Sequence, residues 1–338
     1  MDENTRSVAS LSRRRALALL LSAPVCVVAR RAIARSEAPI RIGALKYGTA
    51  EWELDVITTH GLDDAHGVRV TPVPLASNEA AKIALLGGSV DMIVSDWIWV
   101  ARQRSDGRAL SFIPYSLAVG SLVTMATSPV DGIADLRHLR IGVAGGPLDK
   151  SWLLLRALAR REASFDPAAT ARVSFAAPPL LEQQLRVGRL DAVLTYWHSA
   201  ARLEVDGCRA AIAVADIVRR LGVPEDVPML GYVFRDAWAN DRADLVRGFA
   251  AASRKAKALL AESDDEWRRI APLTGAHDDR TLALLRAGYR DGIPRTWGPA
   301  ERDGAERLFA YLAETGGREL VGSARGVAPG TFWPGLVL

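Results

Sequence analysis

The chain writes one stretch of nineteen residues twice, a hundred residues apart, and nothing else in it limits the fold so strongly. Ala84 to Arg102 and Gln184 to Arg202 share Leu85/Leu185, Gly88/Gly188, Asp91/Asp191, Trp97/Trp197, Ala101/Ala201 and Arg102/Arg202. Each copy predicts the same local structure. A helix runs out at Gly, which accepts the left-handed backbone beyond a helix end. An Asp turn leads into a short apolar strand, Met92-Ile-Val94 or Ala192-Val-Leu194. The strand stops at a polar-aromatic corner, Ser95-Asp-Trp97 or Thr195-Tyr-Trp197, where a new helix starts. Upstream, Arg41-Ile-Gly43 matches Arg140-Ile-Gly142, with Trp52 and Trp152 entering the next helix. A period this long is no solenoid signal, so the repeat predicts two similar lobes.

Strand and helix signals alternate from Ile40. Strands are expected at 40–45, 68–73, 90–94, 110–115 and 121–126. Thr49 is the expected N-cap of a helix carrying Glu51, Trp52, Leu54, Val56 and Ile57, and Ser77 or Asn78 caps a helix over 79–86. Such succession implies parallel sheets with right-handed crossovers. A boundary is expected near Ser128-Pro129, after which the scheme repeats: strand 139–144, helix 151–161, strand 172–176, helix 180–187, strand 191–194. Gly222 to Pro228 is a turn-rich linker, and Met229 to Phe234 is the returning strand. Lobe I is therefore expected over 39–128 plus 229–338, and lobe II over 129–228. In the helical remainder Leu245, Phe249, Ala256 and Leu260 share one face. Further helices are expected about 265–273, 279–289 and 299–314, packed back on the first lobe.

Residues 1–34 form the pattern of a cleaved export signal. Ser12-Arg-Arg-Arg15 precedes an apolar run from Ala16 to Ala29, and Ala32-Ile-Ala34 offers a small-residue cleavage site. The run is short for a membrane span. Ser-Arg-Arg-x-x-Leu has the form of a twin-arginine signal, although Ala16 and Ala18 stand where that pattern favours Phe and Lys; a general secretory signal is the alternative. This segment also carries the whole net charge of +4, leaving 37 Lys+Arg against 37 Asp+Glu from residue 35 onward. A basic nucleic-acid footprint is therefore not expected. Past Cys26 only Cys208 remains, so no intrachain disulfide is expected, and that thiol is assigned to packing.

Four segments carry a family resemblance: Gly43-Ala-Leu-Lys-Tyr-Gly-Thr49, Leu85-Leu-Gly-Gly-Ser-Val-Asp-Met-Ile-Val-Ser-Asp96, Asp135-Leu-Arg-His-Leu-Arg-Ile-Gly-Val-Ala-Gly-Gly146 and Gln184-Leu-Arg-Val-Gly-Arg-Leu-Asp-Ala-Val193. They resemble the nitrate/sulfonate/taurine branch of periplasmic substrate-binding proteins of ABC transporters. The resemblance covers most of 39–320 and implies an α/β type II periplasmic-binding-protein fold. That fold has two lobes, each a mainly parallel sheet flanked by helices, joined by two hinge crossings. It also implies a soluble periplasmic monomer that captures a small molecule and delivers it to an ABC permease in the inner membrane, with no cofactor, no metal and no catalytic residue.

In open parallel sheets ligands sit outside the carboxyl ends of the strands. That rule selects Tyr47, Thr49 and Glu51; Ser77 and Asn78; Ser95, Asp96 and Trp97; Gly145, Gly146, Asp149 and Lys150; and Tyr196 and Trp197. Trp97 and Trp197 offer flat apolar walls with a polar edge, and would otherwise cap the sheet ends as core. Gly145-Gly146 resembles an anion-cradling turn at a helix start. Glu51, Asp96 and Asp149 oppose a simple oxyanion, and Lys46 and Lys150 occupy matching loops, so a mixed-charge or hydroxyl-rich ligand fits better than nitrate. Among enzymes, thiamine-pyrimidine synthases resemble this fold, but their Cys-rich motif has no counterpart here. His60 and His66 are assigned to the surface, and His198 has no nucleophile partner in the sequence. An exported sensor without a permease is the third alternative.

Overall fold

The computed structural model describes residues 38–46, 48–223 and 227–336. The export signal and Tyr47 lie outside them. In chain order the first half holds β1 (Ile40–Leu45), α1 (Ala50–Thr59), α2 (Leu62–Ala65), β2 (Val70–Leu75), α3 (Asn78–Leu86), β3 (Met92–Asp96), α4 (Trp97–Ser105), β4 (Leu110–Ser116) and β5 (Ser121–Met125). Next come β6 (Arg140–Ala144), α5 (Lys150–Ala163), α6 (Pro167–Thr170), β7 (Arg172–Ala176), α7 (Pro178–Arg186), β8 (Ala192–Thr195), α8 (Trp197–Val205), β9 (Cys208–Ala213) and α9 (Val214–Arg220). The chain closes with β10 (Leu230–Arg235), α10 (Asp236–Asn240), α11 (Ala243–Glu262), α12 (Asp264–Thr274), α13 (Asp279–Asp291) and α14 (Pro299–Val321).

Two five-stranded sheets result, ordered β2-β1-β3-β10-β4 and β7-β6-β8-β5-β9. Three parallel strands open each sheet, and a fourth strand runs antiparallel to the third. That fourth strand is β10 in one sheet and β5 in the other, so the lobes are built alike down to the strand that the crossing supplies. One expectation is corrected here. β5 was expected before the boundary at 128, yet it pairs with β8 and β9 in the second sheet, so the chain changes sheets between Ser116 and Ser121. An apolar strand carries no mark of the sheet it joins.

The repeated residues build repeated joints. Arg41 donates from Nε and Nη2 to the two carboxylate oxygens of Asp91, at 3.0 and 2.7 Å, and its backbone N–H reaches the same group. Arg140 and Asp191 repeat the arrangement at 3.0 and 2.5 Å. Bidentate pairing of this kind fixes the start of β1 or β6 beside the turn into β3 or β8. Gly43 and Gly142 are required by packing, since a Cβ would lie 2.7 Å from Leu75 in one lobe and from Leu190 in the other. Gly88 and Gly188 take positive φ of 77° and 68°, as a helix end followed by a tight turn demands.

The C-terminal helices do not pack on the first lobe alone. α11 and α12 cover α1, as expected. α13 instead lies along α8, and α14 lies between α4 and α5, its Ala305, Leu308, Phe309 and Leu312 buried in one cluster with Val100 of α4 and Trp152 of α5. The two sheets are thus joined by a shared apolar core as well as by the crossings. An amphipathic pattern gives the face a helix buries, not the partner it meets.

Candidate functional site

Because β1, β3, β6 and β8 are among the parallel strands, α1, α4, α5 and α8 are among the helices that start from the carboxyl ends of the two sheets. The structure turns those ends toward each other. Asp96, the last residue of β3, accepts a hydrogen bond from Lys150 Nζ, the first residue of α5, at 3.0 Å. Asp96 is 7% exposed and caps α4 through Oδ1, which accepts from Trp99 N at 2.8 Å. Asp149 caps α5 in the same way, its Oδ1 accepting from Ser151 N and Trp152 N at 2.9 and 3.2 Å.

Electrostatics separates these groups. Burial opposes the charge of Asp96, but Lys150 and the Trp99 amide outweigh it and hold the carboxyl below its usual range. For Asp149 burial wins over the same lysine and the two amides, and the carboxyl is pushed up. Burial also works against the Lys150 ammonium, yet Asp96 and Asp149 hold its pKa above that of a free lysine. Tyr196, at the mouth of β8, is pushed up by burial and by the neighbouring Asp149. A Cβ placed on Gly145 would lie 3.3 Å from both Asp149 Oδ2 and Tyr196 Oη, so these two oxygens flank that glycine. The described groups that come together are therefore Asp96, Gly145, Asp149, Lys150 and Tyr196, drawn from both lobes.

The other expected residues sit elsewhere or do other work. Trp97 is fully buried, donating from its indole nitrogen to Pro228 O at 3.1 Å and packing edge-on against Phe332. Trp197 packs across the lobes against Trp52, with ring centroids 5.9 Å apart. Both are packing residues in this conformation. Thr49 precedes α1 without capping it; its Oγ1 accepts from Tyr115 Oη at 3.2 Å. Glu51 lies in the first turn of α1 and Gly146 in the turn before α5. Ser77 caps α3 by accepting from Ala80 N at 3.1 Å, and both Ser77 and Asn78 are exposed. Ser95 is buried in β3 opposite Gly231. Cys208 is buried, with Sγ 3.8 Å from Met125 Sδ. His60 and His66 bond Glu266 and the Leu62 carbonyl. Among the described residues no group of three His, Cys, Asp or Glu side chains is placed to hold a metal ion.

Sequence reasoning missed a buried network beneath the cleft. The Glu53 carboxylate accepts from Tyr232 Oη at 2.9 Å, Ser253 Oγ at 2.6 Å and Tyr289 Oη at 3.1 Å, and pairs with Lys257 Nζ. The Lys257 ammonium also stands 4.8 Å from the centre of the Tyr115 ring, whose hydroxyl reaches Thr49. The one available signal was a Glu in the middle of the apolar run of α1.

The model of the NMT1/THI5-like family matches residues 59–266, more than half of the chain. The chain belongs to that family. No curated protein matches it. Among solved structures, this NMT1/THI5-like chain is similar to the periplasmic aliphatic sulphonate binding protein SsuA from Escherichia coli. The TM-score is 0.68 at 18% identity, over 86% of this chain and 95% of that one. It is similar also to the alkanesulfonate-binding protein SsuA from Xanthomonas axonopodis pv. citri bound to MOPS, with TM-score 0.64 and 18% identity over 86% and 99%. A desulfurization enzyme, DSZB, matches at TM-score 0.54 and 14% identity over 82% and 92%. The type II two-lobed fold expected from the sequence is the fold of these structures.

Proposed function

We propose that this family member is an exported solute-binding protein that captures a small polar molecule between its lobes and presents it to an ABC permease. The observation that carries this is the Asp96–Lys150 pair, which joins the carboxyl edges of two separately built sheets at the position where α/β folds hold ligands. The likeness to SsuA binding proteins supports the same role. The likeness to DSZB keeps fold alone from separating a binder from a catalyst. The groups at the cleft favour the binder: two helix-capping carboxylates, a paired lysine and a phenol arrange charge around a guest.

On this proposal the mature chain works in the periplasm as a monomer, and Arg13-Arg14 directs its export by the twin-arginine route. No helix among the described residues is long and apolar enough to cross a membrane. Closure of the lobes on ligand gives the permease a shape to recognise. A thermal-shift screen of sulfonates, carboxylates, amines and pyrimidines tests the role. A true ligand at a hundredfold excess over Kd stabilises the fold by about 2.7 kcal/mol. A flat response across all four classes would remove the proposal.

A further inference from the structure

The buried lysine of the Glu53 network also borders a cavity. Ala250, Ser253, Arg254 and Lys257 recur at helical spacing on one face of α11. With Ile113 and Pro114 of β4, Pro294 and Leu336, they line a space of about 30 Å3. That is room for one water-sized guest. Five of the eight lining residues are apolar, and both of the ionisable ones are cations. Glu53, the partner of Lys257, is not part of the lining.

The hydrogen bonds already made around this space decide what kind of guest fits it. The Ser253 hydroxyl donates to Glu53 Oε1 at 2.6 Å and accepts from Lys257 Nζ at 2.9 Å, so it is engaged at both ends. The Lys257 ammonium, itself buried, gives one proton to Glu53 and one to Ser253. For its third proton the described residues provide only the ring faces of Tyr115 and Tyr232, 4.8 and 5.9 Å away. Arg254 is exposed, and its guanidinium has no hydrogen bond or ion pair with a described residue. The lining side chains therefore still offer donors and positive charge, but no acceptor. A water would find nothing among them to receive its own two protons. An anion, which only accepts, matches them. Burial lowers the Lys257 pKa even against Glu53, so a second negative neighbour would favour the ammonium further.

We propose that this cavity is a binding site for a small monovalent anion of halide size, held by the Lys257 ammonium and the Arg254 guanidinium against the apolar wall of Ile113, Pro114, Pro294 and Leu336. The site lies outside the cleft and does not depend on the solute-binding proposal. Its volume leaves no space for the body of an organic solute.

The test follows thermal unfolding of the mature chain as chloride replaces gluconate at constant ionic strength, gluconate being too large for the cavity. Chloride should raise the melting temperature along a saturating curve, as a ligand of the folded state does. Arg254→Gln, at an exposed position that should leave the fold intact, should raise the half-effect chloride concentration about tenfold, the factor that about 1.4 kcal/mol represents. Arg254→Lys should restore most of the effect. Anomalous diffraction from crystals grown in bromide should place an ion beside Lys257 Nζ. Equal melting in chloride and gluconate at every concentration overturns the inference. So does a saturating curve unchanged in Arg254→Gln, which would place the ion elsewhere, or a cavity that holds water only in bromide.

Discussion

Trp197 of α8 meets Trp52 of α1 edge-on, their ring planes at 85° and their centroids 5.9 Å apart, so the second copy of the repeated corner touches the first lobe directly. Its counterpart Trp97 is sealed inside the core, with its N–H on Pro228 O. The same residue at equivalent positions therefore does two jobs. Trp97→Ala should cost about 3–5 kcal/mol of stability, the usual range for emptying an aromatic site in a core. Trp197→Ala should cost less, since an aromatic pair adds about 0.5–1.5 kcal/mol beyond its buried area. It should instead increase the radius of gyration without ligand. Urea denaturation and solution scattering on the same samples separate the two, and equal stability losses with unchanged scattering would refute the distinction.

Gly288 of α13 supplies the other wall of Trp197. A Cβ there would lie 2.9 and 3.0 Å from two carbons of the indole ring, and one at Gly292, a turn later, would lie 2.6 Å from Ala118 in the first crossing. Ala favours a helix over Gly by about 1 kcal/mol, whereas overpacking a filled site costs about 1–3 kcal/mol. The second effect should win at Gly288. Gly288→Ala is expected to lower stability in the natural chain and to raise it in the Trp197→Ala background. A double-mutant cycle measures that change of sign, and additive effects would show that the ring has room to move aside.

The repeat made the two lobes legible because its residues are structural. Gly43, Gly142, Gly88 and Gly188 are demanded by close packing or positive φ, and the Arg41–Asp91 and Arg140–Asp191 pairs are joints. The strand-end rule also drew Asp96, Asp149, Lys150, Gly145 and Tyr196 from sequence. What it could not provide was which groups meet across the lobes. That depends in part on α13 and α14, whose apolar stripes do not name the elements they meet, α8 for one and α4 and α5 for the other. Trp97 and Trp197 were indistinguishable in sequence for the same reason, since their difference lies in neighbours more than a hundred residues away, Phe332 and Trp52.

Stability should also fall with acid through one buried imidazole. Burial, aided by the positive charge of Arg202, lowers the pKa of His198 from 6.5 to about 4, and its buried Nδ1 has no hydrogen-bond partner among the described residues. The folded pKa lies below the unfolded one, so between pH 6.5 and about 4 the unfolded chain takes up a proton that the folded chain refuses. Stability is full above that window and is lost as pH falls through it, by up to about 3 kcal/mol at 1.36 kcal/mol per pKa unit. Asp91 and Asp191, held low by their arginines against the cost of burial, add losses at lower pH. His198→Gln should flatten the curve between pH 7 and 4 and leave the lower limb intact. An unchanged slope would mean that other groups set it.

The strongest single dependence should be on the pair beneath the cleft. Glu53 is fully buried and accepts from Tyr232, Ser253 and Tyr289 as well as pairing with Lys257, itself 7% exposed. Burial lowers the Lys257 pKa even though Glu53 opposes it, so the ammonium depends on its partner. Removing one member leaves the other buried and unmatched, at a typical cost of about 3–5 kcal/mol. Removing both restores neutrality, and apolar replacements of similar volume are often tolerated. Lys257→Met should therefore destabilise severely, and Lys257→Met combined with Glu53→Gln should recover part of the loss. The Gln amide can still accept from the hydroxyls of Tyr232 and Ser253. The same pair reaches the cleft through Tyr115, which lies under the Lys257 ammonium and donates to Thr49 at the start of α1. Folded Lys257→Met should thus bind ligand more weakly than the natural chain, without any change at a residue lining the site. Urea midpoints and calorimetric affinities for the natural chain and the two variants test both halves. A double variant less stable than Lys257→Met would mean that Glu53 does not need its lysine, and that the three hydroxyls alone hold its charge.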